Sequence, residues 1–142
     1  MTATERQNLL VEEYSLIDDT RERFQLIVET GASRNPLPHE QRRDENLVPG
    51  CVSKVWLSVQ LQEEGALTVQ IDSESPALSG IAGLFCRIYS GSPASEILAT
   101  EPDFVTRLGI DRQLTPTRLR GLRRLREMLV ERTAALVDSG AR

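Results

Sequence analysis

The chain is predicted to be an α+β domain, with helices packed on one face of a small antiparallel sheet. Two observations carry this. Apolar residues recur first at helical spacing, then alternate with polar ones over two adjacent stretches separated by a glycine turn, then return to helical spacing. Strands grouped together and flanked by groups of helices belong to the α+β class.

Taken in order, Glu5 to Ile17 places Leu9, Leu10, Tyr14 and Ile17 on one face, which predicts a helix. Asp19 opens a second helix, with Glu22 three residues on in a capping-box arrangement. Phe24, Ile27 and Val28 of that helix turn inward, and Gly31 ends it at a position suited to the left-handed conformation. Asn35 to Asn46 reads as a polar loop with prolines, charges and no period. Val55, Leu57, Val59 and Leu61 then alternate with Lys54, Trp56, Ser58 and Gln60, the pattern of a half-buried strand. Glu63, Glu64 and Gly65 form a turn, and Leu67, Val69 and Ile71 alternate along the return strand. Two strands alone are marginal in water, so helices must cover them or a short third strand at Asn46 to Val48 must join them.

Ser75 and Pro76 are a cap and first-turn proline for a mostly buried helix running to about Tyr89. Further capped starts stand at Ser92-Pro93, at Thr100 with Asp103, and at Thr115-Pro116. The last opens a long helix with Leu119, Leu122, Leu125, Leu129 and Leu136 as its apolar stripe. Arg118, Arg120, Arg123, Arg124 and Arg126 form a basic cluster on it, best explained as a solvated face. No internal repeat or long linker interrupts the pattern, so one domain is expected over residues 1–142.

Composition narrows the function. With a formal net charge of -4, the chain is poorly suited to broad nucleic-acid binding, which needs a basic surface to displace counterions. The most apolar stretch, Ala77 to Tyr89, is interrupted by Ser79, Gly80, Gly83 and Arg87 and falls short of the roughly 20 residues of a membrane span. A soluble protein with no membrane association is expected. Met1 to Leu10 shows no signal-peptide pattern, and two cysteines are too few for a secreted disulfide framework. Reduced cytoplasm is therefore the expected location. Cys51 and Cys86 have neither zinc-ligand nor C-x-x-C spacing, so no metal site or cofactor is expected.

Cys51 is the residue best placed for chemistry. It follows Pro49 and Gly50 at the junction of the polar loop and the first strand, where a fixed and a permissive backbone angle together allow a tight bend. If strand alternation extends back, Cys51 shares parity with Val55 and Leu57 and leans toward the apolar side, while Trp56 falls on the polar face. A thiol of ordinary pKa is only a few per cent thiolate at neutral pH, so independent catalysis would require a base. The single histidine, His39, lies in the loop and nothing ties it to Cys51. Accepting sulfur from a persulfide held on another enzyme demands less, because the donor can supply the activating groups. Cys86, between Phe85 and Ile88 in mid-helix, is expected in the core.

The run Val48-Pro49-Gly50-Cys51-Val52-Ser53-Lys54-Val55-Trp56 resembles the acceptor-cysteine motif V-x-G-C-x-S-x-V-W of the SufE/CsdE family. Phe24 to Gly31, Asp72-Ser73 with the helix after it, and Ser92-Pro93 with Glu96-Ile97-Leu98 are similar to other family segments in the same order. Leu114-Thr115-Pro116-Thr117-Arg118 with Gly121-Leu122 resembles the family's L-T-P-x-R-x-x-G-L signature. The resemblance implies a fold similar to that of the cluster scaffold IscU, with Cys51 on a loop tucked into an apolar cavity. It implies a protein that is not itself an enzyme and binds no pyridoxal phosphate. Such a protein would take persulfide sulfur onto Cys51 from a PLP-dependent cysteine desulfurase of the SufS or CsdA kind. It would stimulate that enzyme and pass the sulfur to a downstream Fe-S scaffold complex or other recipient. Carried over by position, Gly50 and Ser53 would shape the loop, with Asp72 and Arg118 as neighbours. Arg118 stands in a first turn, where the helix dipole disfavours a cation, so a carboxylate on the desulfurase or on Asp72 is a partner for it. Two other readings are an Fe-S scaffold, for which one isolated cysteine is too few ligands, and a nucleic-acid-binding module built on the arginine helix.

Overall fold

In the computed structural model, which describes residues 1–33 and 36–138, strands β1 (Val55–Leu61) and β2 (Ala66–Ser73) form an antiparallel hairpin. Its register runs from Val55 opposite Ser73 to Leu61 opposite Leu67. A 3-10 turn at Glu63–Gly65 joins them, and Gly65 takes a positive φ of 81° that suits a residue without a side chain. The alternation is a sound guide here, because one face of the pair meets the core: Leu57, Leu67, Val69 and Ile71 are all buried.

The third strand is a correction. It is β3 (Ser92–Pro93), which pairs with β2 to give the order β1-β2-β3, and not Asn46 to Val48. Two residues are too short to show a period, and the Ser-Pro pair reads in sequence as a helix start. The Asn46 to Val48 stretch does approach β1, but only through a bridge between Leu47 and Trp56 and a bond from Val48 N–H to Val55 O of 2.8 Å.

Helix α1 (Ala3–Ser15) starts earlier than expected, since Thr2 accepts from Glu5 N–H and Glu5 returns the bond to Thr2 N–H, a complete capping box. Helix α2 (Thr20–Thr30) is capped by Asp19, which accepts from Glu22 N–H at 2.9 Å. Helix α3 (Pro76–Tyr89) is nearly buried all round, as expected of a central helix, and packs on the sheet, on α1 and on α2. Gly31 at the end of α2 is not left-handed: its φ is -75°. Its need for glycine is steric, because a Cβ there would stand 2.4 Å from Gly80 O of α3.

Beyond β3 come α4 (Ala94–Ala99), α5 (Phe104–Arg107) and α6 (Pro116–Asp138). Leu122, Leu125 and Leu129 of α6 are buried as the stripe predicts, and α6 packs on α4 and β1. Arg126 departs from the solvated cluster. It is buried, donates to Ile97 O at 2.9 Å and lies 5.4 Å from the centre of the Tyr89 ring.

The second face of the sheet is covered too, by the segment 36–48. Trp56 is only 7% exposed, because Leu47 bridges to it and the Arg42 guanidinium stacks 5.1 Å from its ring centre. Gln70 donates to Pro36 O at 3.4 Å on the same face. The alternation does not reveal this, since a polar loop carries no period. The expected loop start, Asn35, and residues 139–142 of the expected domain lie outside the described residues. Among the described residues, no helix is long and apolar enough to cross a membrane.

Candidate functional site

Cys51 stands on a turn between the covering segment and β1, and Gly50 before it has a φ of +83°. A side chain is strained at that angle, so glycine lets the chain reverse there. Alternation does not extend back from the strand, because residues 52 and 53 bend before β1 begins at Val55. The thiol nevertheless turns inward: Cys51 is half-buried and packs against the core cluster. Pro49, Gly50 and Val52 around it are exposed, Val52 at 70%. A shielded sulfur thus sits on an exposed, largely apolar tip.

Helix α6 holds this tip at three levels. Gly121 lies under the sulfur, with its carbonyl accepting a weak bond from Cys51 Sγ at 3.8 Å. Arg124, one turn on, runs its side chain over Gly50, so that a Cβ at Gly50 would meet Arg124 Cγ and Nε at 3.8 Å. Arg132 donates to Asn46 Oδ1 at 3.2 Å and to Glu45 O, fixing the approach to the turn. Glycine in mid-helix costs about 1 kcal/mol relative to alanine, so its presence at 121 marks a close approach. That cost is the available signal for a residue to which the sequence assigns no task. Arg124 and Arg132 carry no such mark among the other arginines.

The electrostatics favour a neutral thiol. Partial burial pushes the Cys51 pKa up, and the bond to the Gly121 carbonyl uses the thiol proton, which only the neutral form has. Cys86 is buried and its pKa is pushed up to about 12 by burial, against bonds with Ile71 and Ser33 that lower it slightly. His39 lies exposed in a 3-10 turn, and among the described residues no hydrogen bond links it to Cys51.

The remaining residues separate. Ser53 is half-buried within the bend after Cys51. Asp72 pairs with Arg42, which also covers Trp56, so it belongs to the sheet's covered face. Arg118 does not reach Asp72. It donates from Nη1 to Ser75 Oγ at 2.7 Å, and Ser75 Oγ in turn caps α3 by accepting from Leu78 N–H. Arg118 therefore ties the N-termini of α6 and α3 together, one turn before Gly121 and the thiol.

A family model described as "SufE: Fe-S metabolism associated domain" matches residues 8–133. Over 134 residues the chain is 31% identical to an uncharacterized SufE-like protein of Rhizobium etli, covering 89% of this chain and 90% of that protein. It is 30% identical over 131 residues to SufE-like protein 1, chloroplastic/mitochondrial, of Arabidopsis thaliana, covering 92% of this chain but 35% of the plant protein's length. The fold is similar to the solution structure of a hypothetical protein from Thermus thermophilus, with a TM-score of 0.76 and 21% identity, over 94% of this chain and 96% of the other.

Proposed function

Because the chain belongs to the SufE family and so has a role in Fe-S metabolism, we propose that Cys51 is a sulfur acceptor loaded by a cysteine desulfurase. One observation carries the reading: the Cys51 thiol is half-buried against α6 on a turn whose neighbouring residues are exposed. In this resting pose the sulfur is neutral and screened, which limits loss of bound sulfur to stray thiols. A partner that draws the sulfur away from Gly121 breaks only a weak hydrogen bond there, and it replaces the apolar packing around Cys51 with its own activating groups.

The step balances without an outside oxidant or reductant. The Cys51 thiolate attacks the outer sulfur of a persulfide on the donor, the S–S bond of that persulfide breaks, and the donor cysteine leaves as thiolate. A persulfide remains on Cys51. Clearing the donor's own cysteine frees it for its next turnover, so acceptance would itself stimulate the desulfurase. In this reading the chain is a transfer partner and not an enzyme, and the sulfur passes on to a cluster-assembly scaffold.

Mass spectrometry after incubation with a PLP-dependent desulfurase and free cysteine tests this. A gain of about 32 Da on the peptide holding Cys51 is expected, absent in Cys51→Ser and retained in Cys86→Ser. Loading of Cys86 with none on Cys51 would overturn the assignment.

A further inference from the structure

An open groove of about 620 Å³ lies between α2, on the side where Phe24 and Val28 are only half-buried, and the N-termini of α3 and α6. Phe24, Val28, Pro76 and Leu114 give it an apolar wall, and among the described residues Arg21 and Arg118 supply its only charges. That is unusual for this molecule, which carries 21 acidic against 17 basic residues, yet places no carboxylate in the groove. Among the described residues neither arginine is within ion-pair distance of a carboxylate. Arg118, in the groove's lining, stands one turn before Gly121, against which Cys51 rests.

We infer that this groove is where the sulfur donor docks, through a segment that sets an apolar side chain beside an aspartate or glutamate. Charge complementarity selects that occupant. Two guanidinium groups without a carboxylate partner, over an apolar wall, favour a carboxylate with an apolar neighbour and reject a basic segment. The inference rests on the acceptor reading and adds to it a specificity surface. Arg21 is its outer anchor, exposed to solvent. Arg118 is its inner anchor, already held by Ser75 and so pre-oriented.

Titration of the full chain against the desulfurase purified from the same organism tests it, at low and at about 0.15 M ionic strength. Arg21→Glu is the informative variant, because an acidic residue in the first turn of α2 suits the helix dipole and leaves the fold intact. Arg120→Glu, on the exposed side of α6 outside the groove, makes the same change in net charge. At low salt, Arg21→Glu is expected to weaken binding about tenfold or more and Arg120→Glu by less than about twofold. Equal losses in both variants, no loss at Arg21→Glu, or no binding by the unaltered chain would each overturn the inference. Sulfur loading of Cys51 is read by mass in the same samples. If the unaltered chain gains no sulfur while Arg21→Glu alone loses affinity, the acceptor reading fails and the groove stands. If sulfur loads and Arg21→Glu binds as the unaltered chain does, the groove alone falls.

Discussion

Gly121→Ala would put a methyl group 3.0 Å from Cys51 Sγ, closer than packed atoms sit, so one of the two must move. The helix backbone is the stiffer partner and the half-buried turn the softer one, so the sulfur yields. Alanine meanwhile gains about 1 kcal/mol of helix propensity over glycine, which offsets the crowding. The variant is therefore expected to keep its stability within about 1 kcal/mol by urea titration, while Cys51 reacts several-fold faster with iodoacetamide at neutral pH. A slower reaction would mean that the methyl group seals the thiol in. Cys86 makes a different prediction, because its folded pKa of about 12 lies above the ordinary thiol value of 9.0. The folded state then holds its proton after the unfolded chain has lost it. Stability that is complete below about pH 9 is lost as pH rises toward 12, at about 1.4 kcal/mol per unit. Cys86→Val removes this group, so its urea midpoint should fall less steeply than that of the unaltered chain across this range. Parallel slopes in the two proteins would refute the assignment.

At the scale of elements, the tightest join is between α2 and α3, where backbones touch without side chains between them. A Cβ at Gly83 would stand 1.7 Å from Gly31 O and 2.8 Å from Ser33 N, both of them main-chain atoms that cannot turn aside. Gly83→Ala is expected to cost about 3 kcal/mol or more in urea unfolding, against about 1 kcal/mol for removing the α2 cap in Asp19→Ala. Similar costs for the two would mean that the helices part easily. This join also shows which elements are legible in the sequence. The helices and the hairpin can be read because an apolar face repeats along them, and Leu57 and Leu125 sit in the core as their periods require. Gly31 does mark a helix end, but not for the conformational reason its position suggests, since its role depends on a helix that passes it from far along the chain. Parity puts Trp56 on the wet face because its cover, Leu47 and Arg42, comes from a segment without period. Cys51 stands out by its motif, whereas α6's part in holding it does not. The mid-helix glycine at 121 marks a close approach without saying what approaches, and Arg124 carries no mark at all, because such contacts depend on where two elements meet in space.

For the molecule as a whole, the two cysteines are reporters of two kinds of opening. Cys86 lies on the central helix, only 5% exposed at the wall of an open pocket between α1, the end of α2 and α3. Its sulfur is fully freed only when α3 leaves the sheet and α2, which amounts to global unfolding. Cys51 is held by a half-buried turn and a weak bond to Gly121, so it opens locally while the core stays intact. Global unfolding of a domain typically costs about 5–15 kcal/mol, which makes the open form rarer than about one molecule in a thousand. Alkylation of Cys86 by that route should be far slower than that of Cys51. The dependence on denaturant separates the mechanisms. Adding urea below the unfolding transition should accelerate Cys86 alkylation with the slope of global unfolding, because that slope follows the surface exposed, whereas a flat rate would mean that the reagent enters through the pocket. Cys51 exposes little surface on opening, so its rate should remain nearly flat. Should Cys51 instead follow the global slope, its turn would be part of the cooperative core, and a docking partner could reach the sulfur only by unfolding the domain.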